Sequence, residues 1–269
     1  MLPTLSQVCS LPAETTKQFE DYSAGKCATI ELWLTKVEDF LARHSPDELR
    51  RLLETNGLTA PVASYQGGLF SQGERRVEAW KLFTRRLDLC RELGVNTLVV
   101  AIDTDGPLNE QLLGRVQLTL QQAAEEAAKR SLRLALEFQA SATFGNNLQT
   151  AAALVAETGA PNLGLCLDVF EWYVGPSKTE DLGYLTQDNL FHVQLSDLAD
   201  TPRELAGGTQ RILPGDGDLN LPAVTDRLHE IDFAGTVSLE ILNPDLWQVP
   251  PLQMGEIGMT ALRKTLRLT

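Results

Sequence analysis

Long apolar runs and basic residues are both scarce in this 269-residue sequence. No stretch reaches the about 18 consecutive apolar residues that a transmembrane helix needs, so a membrane protein is not expected. The N-terminal segment lacks the basic and apolar regions of a signal peptide, which predicts a cytoplasmic protein. Lys and Arg number 23 against 36 Asp and Glu, giving a net charge of −13. Because phosphate contacts need clustered basic side chains, this charge argues against a nucleic-acid partner and an anionic membrane surface.

Cysteine and histidine are also rare, with four and three copies. Cys9, Cys27, Cys90 and Cys166 have no CxxC spacing and lie in apolar stretches, which predicts buried free thiols in a reducing compartment. With so few histidines and no cysteine pair, a structural zinc site is not expected.

Two common phosphate-binding motifs are missing as well, since no GxGxxG follows the first apolar run and no GxxxxGK[ST] occurs. The chain instead alternates short apolar runs with longer amphipathic segments, which predicts strands alternating with helices. The predicted strands span residues 5–9, 28–33, 61–65, 97–102, 133–138, 163–168, 190–195 and 236–241. Helices are predicted at residues 45–55, 74–93, 108–130 and 221–231. Eight such repeats without a flexible linker predict one α/β domain over residues 1–269, a (β/α)8 TIM barrel of parallel strands, with a doubly wound open sheet as the alternative.

Polar side chains end the last four predicted strands. Glu137 ends LALE, Asp168 ends GLCLD, Gln194 lies late in FHVQL and Glu240 ends VSLE. In a parallel barrel these strand ends meet at one mouth, and strand alternation lets all four side chains point inward. Three carboxylates there would repel one another unless a cation neutralised them, and oxygen ligands suit Mn²⁺ or Mg²⁺ better than Zn²⁺. The pattern predicts one divalent metal site, and the alternative is a set of solvated strand ends or helix N-caps.

The second half of the chain resembles a known family. The segments LALEF, GLCLDVF, LFHVQLSD, PGDGDLNL and VSLEI, within residues 131–245, are similar to the xylose-isomerase-like TIM barrel superfamily of sugar phosphate isomerases and epimerases. The first half matches in layout alone, with IELW at the second strand. The resemblance implies that Glu137, Asp168, Gln194 and Glu240 bind one divalent metal ion.

Two positions depart from the family pattern. Gln194 stands where the family usually has the second His of an HVH-like strand, and this resembles the bacterial 3-dehydroshikimate dehydratases of the same superfamily. His192 lies on the same strand face and is the alternative ligand. Glu171 follows Asp168 by three residues, where many members carry a His that contacts the substrate. The substrate class is therefore not carried over from the sugar epimerases.

The resemblance also implies a proton-transfer reaction. In the similar epimerases the two metal-binding glutamates act as base and acid on opposite faces of the substrate, which implies Glu137 and Glu240 here. A metal-stabilised enediolate formed in this way leads to epimerisation, to aldose–ketose isomerisation or, with loss of a β-hydroxyl, to dehydration.

Further side chains are candidates for contact with the substrate. Arg211 stands where related epimerases have an Arg that faces the substrate, and the alternative is a loop Arg paired with Asp216 or Asp218. Trp33, at a strand end, offers an aromatic face to a sugar, with packing as the alternative. The predicted substrate-binding residues are Arg211, Glu171, Gln66, His192 and Glu31, with Asp103 as a further polar wall residue.

These observations favour a metal-dependent isomerase or epimerase of a small sugar or polyhydroxylated keto compound. The alternatives are a metal-dependent lyase of the 3-dehydroshikimate dehydratase type and a non-catalytic sugar-binding barrel. An endonuclease with a trinuclear metal site would need more histidines than the three present. The expected partner is a small-molecule substrate. The apolar segment 243–251 either covers the pocket or contacts a neighbouring subunit, which leaves a homo-oligomer open.

Overall fold

Eight parallel strands close into a barrel in the computed structural model, which describes residues 1–268. Each strand pairs with the next in chain order, and the last pairs with the first through Leu239 and Leu5, so the sheet has no free edge. The strands are β1 (Leu2–Ser6), β2 (Thr29–Trp33), β3 (Thr59–Gln66), β4 (Thr97–Ile102), β5 (Arg133–Phe138), β6 (Leu163–Asp168), β7 (Leu190–Leu195) and β8 (Thr236–Leu239). The predicted (β/α)8 TIM barrel is confirmed.

Helices connect the strands and pack around the barrel. They are α1 (Thr15–Ala24), α2 (Leu34–Leu41), α3 (Pro46–Thr55), α4 (Gly73–Leu93), α5 (Glu110–Ala128), α6 (Leu148–Thr158), α7 (Val169–Val174), α8 (Leu221–Glu230) and α9 (Pro251–Thr265). At the start of α3, the Ser45 hydroxyl accepts a hydrogen bond from the Glu48 N–H, and the Glu48 carboxylate accepts one from the Ser45 N–H. This capping box satisfies N–H groups that a helix start leaves unpaired. The four helices predicted from the sequence agree with α3, α4, α5 and α8 to within two residues.

The first strand lies earlier than predicted. The sequence predicts a strand at residues 5–9, whereas β1 spans Leu2–Ser6 and a 3-10 helix follows at Gln7–Ser10. At the start of that helix the Ser6 hydroxyl accepts a hydrogen bond from the Val8 N–H at 3.4 Å. Residues 4–10 are all buried, so the polar Ser6 and Gln7 are as enclosed as the apolar Leu5 and Val8, and polarity does not mark where the strand ends. The third strand is longer than predicted, and β8 ends two residues earlier than predicted.

An apolar layer fills the barrel below its C-terminal mouth. Ala135 and Cys166 belong to this layer and lie two residues before Glu137 and Asp168, hence on the same strand faces. The layer consists of Val62, Val99, Ala135, Cys166 and Phe191, all buried. This layer closes the barrel interior directly below the polar strand ends.

The four cysteines are free and buried, as predicted. Burial raises the pKa of the Cys27 thiol to about 11, so this side chain is un-ionised at neutral pH. Within residues 1–268, no helix combines the length and the apolar character needed to cross a membrane.

We expect Gly164→Ala to destabilise the barrel. A Cβ at Gly164, in β6, would lie 2.7 Å from the Asn189 carbonyl oxygen and from carbons of the Phe191 ring. Overpacking of this kind costs about 1–3 kcal/mol in the free energy of unfolding, measured by urea denaturation. The control is Gly114→Ala in α5, where a Cβ meets nothing within 4 Å and helix propensity predicts a gain of about 0.5–1 kcal/mol. Equal effects of the two substitutions would contradict the packing at Gly164.

Candidate functional site

Four strand-end side chains meet at the C-terminal mouth of the barrel. Glu137 lies in β5, Asp168 ends β6, Gln194 lies in β7 and Glu240 follows β8. Asp168 and Gln194 are directly paired in neighbouring strands, and the Glu240 N–H donates to the Leu195 carbonyl at 3.1 Å. Glu137, Gln194 and Glu240 line a cavity of about 560 Å³, and Asp168 is fully buried. The four predicted metal ligands are therefore brought together in space.

Arg211 joins the site carboxylates. Its Nη1 donates to Asp168 Oδ1 and to Glu240 Oε2, each at 3.0 Å. Its Nη2 donates to Asp168 Oδ2 at 2.6 Å and lies 3.7 Å from Glu171 Oε1. Arg211 is 4% exposed and lines the cavity, so the alternative of a loop arginine paired with the acids of its own loop is wrong.

The site carries more negative charge than Arg211 compensates. Burial, and then the carboxylates of Asp168 and Glu240, raise the pKa of Glu137 well above its ordinary value. Burial likewise raises the pKa of Glu240 well above its ordinary value, although Arg211 opposes this. Burial and the charge of Asp168 also raise the pKa of Glu171. A cation in the site would offset this repulsion and favour the ionised carboxylates.

A buried hydrogen-bond chain supports Gln194 from below. Glu31 Oε1 accepts from Gln194 Nε2 at 3.0 Å, and Glu31 Oε2 lies 3.3 Å from His192 Nε2. The other ring nitrogen of His192 lies 2.7 Å from the Thr236 hydroxyl. Burial alone would raise the pKa of Glu31, but the hydrogen bond from His192 and its charge lower it. Glu31 and His192 are fully buried, so the structure places both behind Gln194 rather than in the cavity lining.

The strand ends of β3 and β4 form the wall opposite these carboxylates. Gln66 and Asp103 line the cavity, as does Trp33 from the end of β2. Asp103 Oδ2 accepts from the Gly68 N–H at 2.6 Å, and a Cβ at Gly67 would lie 2.7 Å from the same oxygen. Glycine at position 67 therefore permits the close approach of this loop to Asp103.

Glu171 lies at the cavity, whereas Trp172 and Trp247 make other contacts. Glu171 lines the cavity, and its Oε2 accepts from the Ala140 N–H at 2.7 Å. Trp172 is 4% exposed and is packed in the core. The Trp247 indole N–H donates to the Val8 carbonyl at 2.8 Å, which ties the segment 243–251 to the 3-10 helix after β1.

Asp197 positions the loop that carries Arg211, although the sequence did not single it out. It follows β7 within LFHVQLSD and is 1% exposed. Its backbone forms an antiparallel bridge with Ile212, the residue after Arg211. Its two carboxylate oxygens accept hydrogen bonds from the backbone N–H groups of Leu198, Gly215, Gly217 and Leu219. An acidic residue beside a strand end and a PGDGD loop was the available signal.

We expect Asp197→Asn to lower the free energy of unfolding by about 2–4 kcal/mol. Each carboxylate oxygen of Asp197 accepts two backbone N–H hydrogen bonds, and the NH₂ group that replaces one oxygen cannot accept any. Urea denaturation measures the loss. The control is Asp188→Asn, an exposed acid before β7. Equal stability of the two variants would contradict the role of Asp197 as the anchor of this loop.

A divalent metal fits the donor chemistry of the site better than it fits the present side-chain positions. Among residues 1–268, no three His, Cys, Asp or Glu side chains are placed so as to hold a metal ion. Arg211 engages both oxygens of Asp168, and Gln194 directs its Nε2 at Glu240 and its Oε1 at Cys166 Sγ, 3.2 Å away. The oxygen-rich donor set and the excess negative charge nonetheless suit a hard cation.

Comparison of the sequence with known protein families identifies the family of this chain. A family model described as xylose isomerase-like TIM barrel matches residues 22–265. This protein belongs to that family. The resemblance seen in the strand-end segments is therefore confirmed.

Three similar proteins illustrate the range of the family. An inosose isomerase of Halalkalibacterium halodurans is 25% identical over 225 residues, which cover 80% of this chain and 78% of the relative. A 3-dehydroshikimate dehydratase of Pseudomonas putida is 26% identical over 225 residues, but these cover 81% of this chain and 35% of the relative. The crystal structure of the IolI protein with a bound zinc atom superposes with a TM-score of 0.92 at 22% identity, covering 99% of this chain and 98% of that one. The relatives support the prediction of an isomerase or epimerase, with a lyase as the second alternative.

Proposed function

We propose that this protein is a divalent-metal-dependent isomerase or epimerase of a small, neutral polyhydroxylated ketone, and that it acts by proton transfer. The proposal depends above all on Glu137 and Glu240, which come from the ends of β5 and β8 and line one cavity. Two carboxylates that face the same bound substrate can act as its base and its acid. The likeness to inosose isomerases supports the same conclusion.

Glu137, Asp168, Gln194 and Glu240 are the residues that would hold the metal ion. When bound, such an ion polarises a substrate carbonyl and acidifies the neighbouring C–H group. The similar IolI structure contains zinc, whereas a set of three carboxylates and one amide favours the harder Mn²⁺ or Mg²⁺.

Glu137 and Glu240 then transfer the proton. The ionised carboxylate removes a proton from the carbon beside the carbonyl, and the protonated carboxyl returns one to the opposite face of that carbon, which gives the epimer. Return of the proton to the former carbonyl carbon gives the isomer, provided that the hydroxyl proton also moves to the former carbonyl oxygen. Gln139 Nε2 donates to Glu137 Oε1 at 2.7 Å and so restrains the Glu137 carboxylate. Gln194 Nε2 donates to Glu240 Oε1 at 2.9 Å and so restrains the Glu240 carboxylate.

The charges around the cavity favour a neutral substrate. The acidic lining residues are Asp103, Glu137, Glu171 and Glu240, and the basic ones are Arg86 and Arg211. Both arginines already form ion pairs, Arg86 with Glu38 and Arg211 with Asp168 and Glu240. Carboxylate oxygens accept hydrogen bonds from substrate hydroxyl groups, whereas a carboxylate or phosphate on the substrate would find both lining arginines already paired. A neutral polyol is therefore the better match.

A lyase of the 3-dehydroshikimate dehydratase type is the second candidate, favoured by Gln194 and by the Pseudomonas putida relative. An enone product absorbs in the ultraviolet, whereas an epimer or isomer is detected by chromatography. A non-catalytic sugar-binding barrel is the third candidate, and it would bind the polyol without exchanging its protons.

We expect the wild-type protein to bind one Mn²⁺ per chain. The Arg211→Gln variant should bind Mn²⁺ at least about tenfold more tightly, because the guanidinium group of Arg211 competes with the cation for the oxygens of Asp168 and Glu240. Isothermal titration calorimetry measures both affinities. Arg203→Gln is the control, because Arg203 lies on the same connection but outside the cavity lining. Absence of metal binding by the wild type would contradict the proposed function, and weaker binding by Arg211→Gln would contradict the competition.

We expect Glu137→Gln and Glu240→Gln each to reduce exchange of solvent deuterium into an inosose by about 100-fold or more, as is typical for loss of a general acid or base. Proton NMR in D₂O follows this exchange. The matched control is Glu180→Gln, an exposed residue outside the cavity lining, which should exchange at the wild-type rate. Retained exchange in both site variants would contradict the acid–base assignment.

A further inference from the structure

The end of β3 contains an irregularity beside the cavity. Between Ala63 and Gln66 the strand advances by three residues while its partner β4 advances by two, from Leu98 to Val100. The additional residue makes a β-bulge. Bulges next to binding sites redirect a side chain that regular alternation would place elsewhere.

Tyr65 lies in this bulge with an unfavourable backbone conformation. Its φ is +77°, in the left-handed region that a residue with a large side chain rarely adopts. Arg86 holds it there, because Arg86 Nη1 donates to the Tyr65 carbonyl at 2.6 Å. Arg86 is itself fixed by two hydrogen bonds of 2.8 Å to the Glu38 carboxylate and is 4% exposed. An ion pair between buried Arg86 and partly exposed Glu38 thus supports a strained backbone.

The strain places an aromatic ring in the cavity wall. The centroids of the Tyr65 and Trp33 rings lie 4.4 Å apart, and the two ring planes are tilted by 32° relative to each other. Tyr65 remains 55% exposed, whereas Trp33 behind it is 8% exposed. Both residues line the cavity that contains Glu137 and Glu240. An exposed aromatic ring on a strained backbone is unfavourable in the free protein, which indicates a role with a bound ligand.

We propose that Tyr65 determines specificity by stacking its ring, backed by Trp33, on the C–H face of a ring-shaped polyhydroxylated ketone. A six-membered ring with mostly equatorial hydroxyls directs its axial C–H bonds at both faces, and these apolar faces match an aromatic wall. An open-chain ketose has no rigid face of this kind. The inference rests on the proposed function, since it assigns a cyclic substrate class to the same cavity.

The test compares Tyr65→Phe, Tyr65→Ala and Tyr65→Gly with wild type, using an inosose as the probe. Stacking predicts that the Ala and Gly variants raise KM about two- to tenfold while kcat changes less than about twofold. Tyr65→Phe retains the ring and should behave as wild type. Saturation-transfer NMR should show transfer from protein aromatic protons to the inosose C–H protons in wild type and Tyr65→Phe, and a marked loss in Tyr65→Ala.

The Ala and Gly variants also separate strain from stacking. Both remove the ring, but glycine adopts a φ of +77° without strain, so Tyr65→Gly should melt about 2–4 °C higher than Tyr65→Ala. Tyr184→Ala is the control for loss of an exposed tyrosine, because Tyr184 is 45% exposed and lies outside the cavity lining. Its KM should be that of wild type.

Two outcomes would overturn the inference. Unchanged KM and unchanged saturation transfer in Tyr65→Ala would do so, as would absence of any inosose signal with wild-type protein. Saturation transfer without deuterium exchange in the wild type would contradict the proposed function and support the stacking surface.

Discussion

Repulsion between carboxylates that are crowded together away from water is the constraint on which this site depends. Glu137, Asp168, Glu171 and Glu240 share the barrel mouth, and Coulomb interactions there are stronger than in water. Arg211 offsets part of the repulsion through both oxygens of Asp168 and one of Glu240. The proposed divalent cation would offset the charge that remains.

The rest of the mouth keeps these charges in place. Asp197 fixes the loop of Arg211 by accepting hydrogen bonds from four backbone N–H groups. Glu31, inside the barrel, accepts a hydrogen bond from the Gln194 amide. The closed sheet satisfies its own backbone hydrogen bonds, so the strand ends are rigid supports. This arrangement restricts displacement of the site side chains, which matters wherever a reaction depends on close contact.

The two halves of the barrel contribute differently to the cavity. The ends of β5 to β8 supply Glu137, Asp168, Gln194 and Glu240, whereas Trp33 and Tyr65 at the ends of β2 and β3 supply an aromatic wall. Most of the charge thus lies on one side of the cavity, and an aromatic surface lies on the other. The family model matches residues 22–265, so both halves belong to the same family fold.

The sequence by itself determined the alternation of strands and helices and the four polar strand ends, because hydrophobic periodicity and residue type are local properties. It did not determine the end of β1, since the polar Ser6 and Gln7 are buried like their apolar neighbours and so do not mark the turn. Tertiary structure alone decided that Arg211 pairs with Asp168 and Glu240 rather than with its own loop, and that Glu31 and His192 lie behind Gln194. It also decided the bulge at Tyr65, because a change of register exists only between two strands. These features depend on contacts between residues far apart in the chain, which no local pattern encodes.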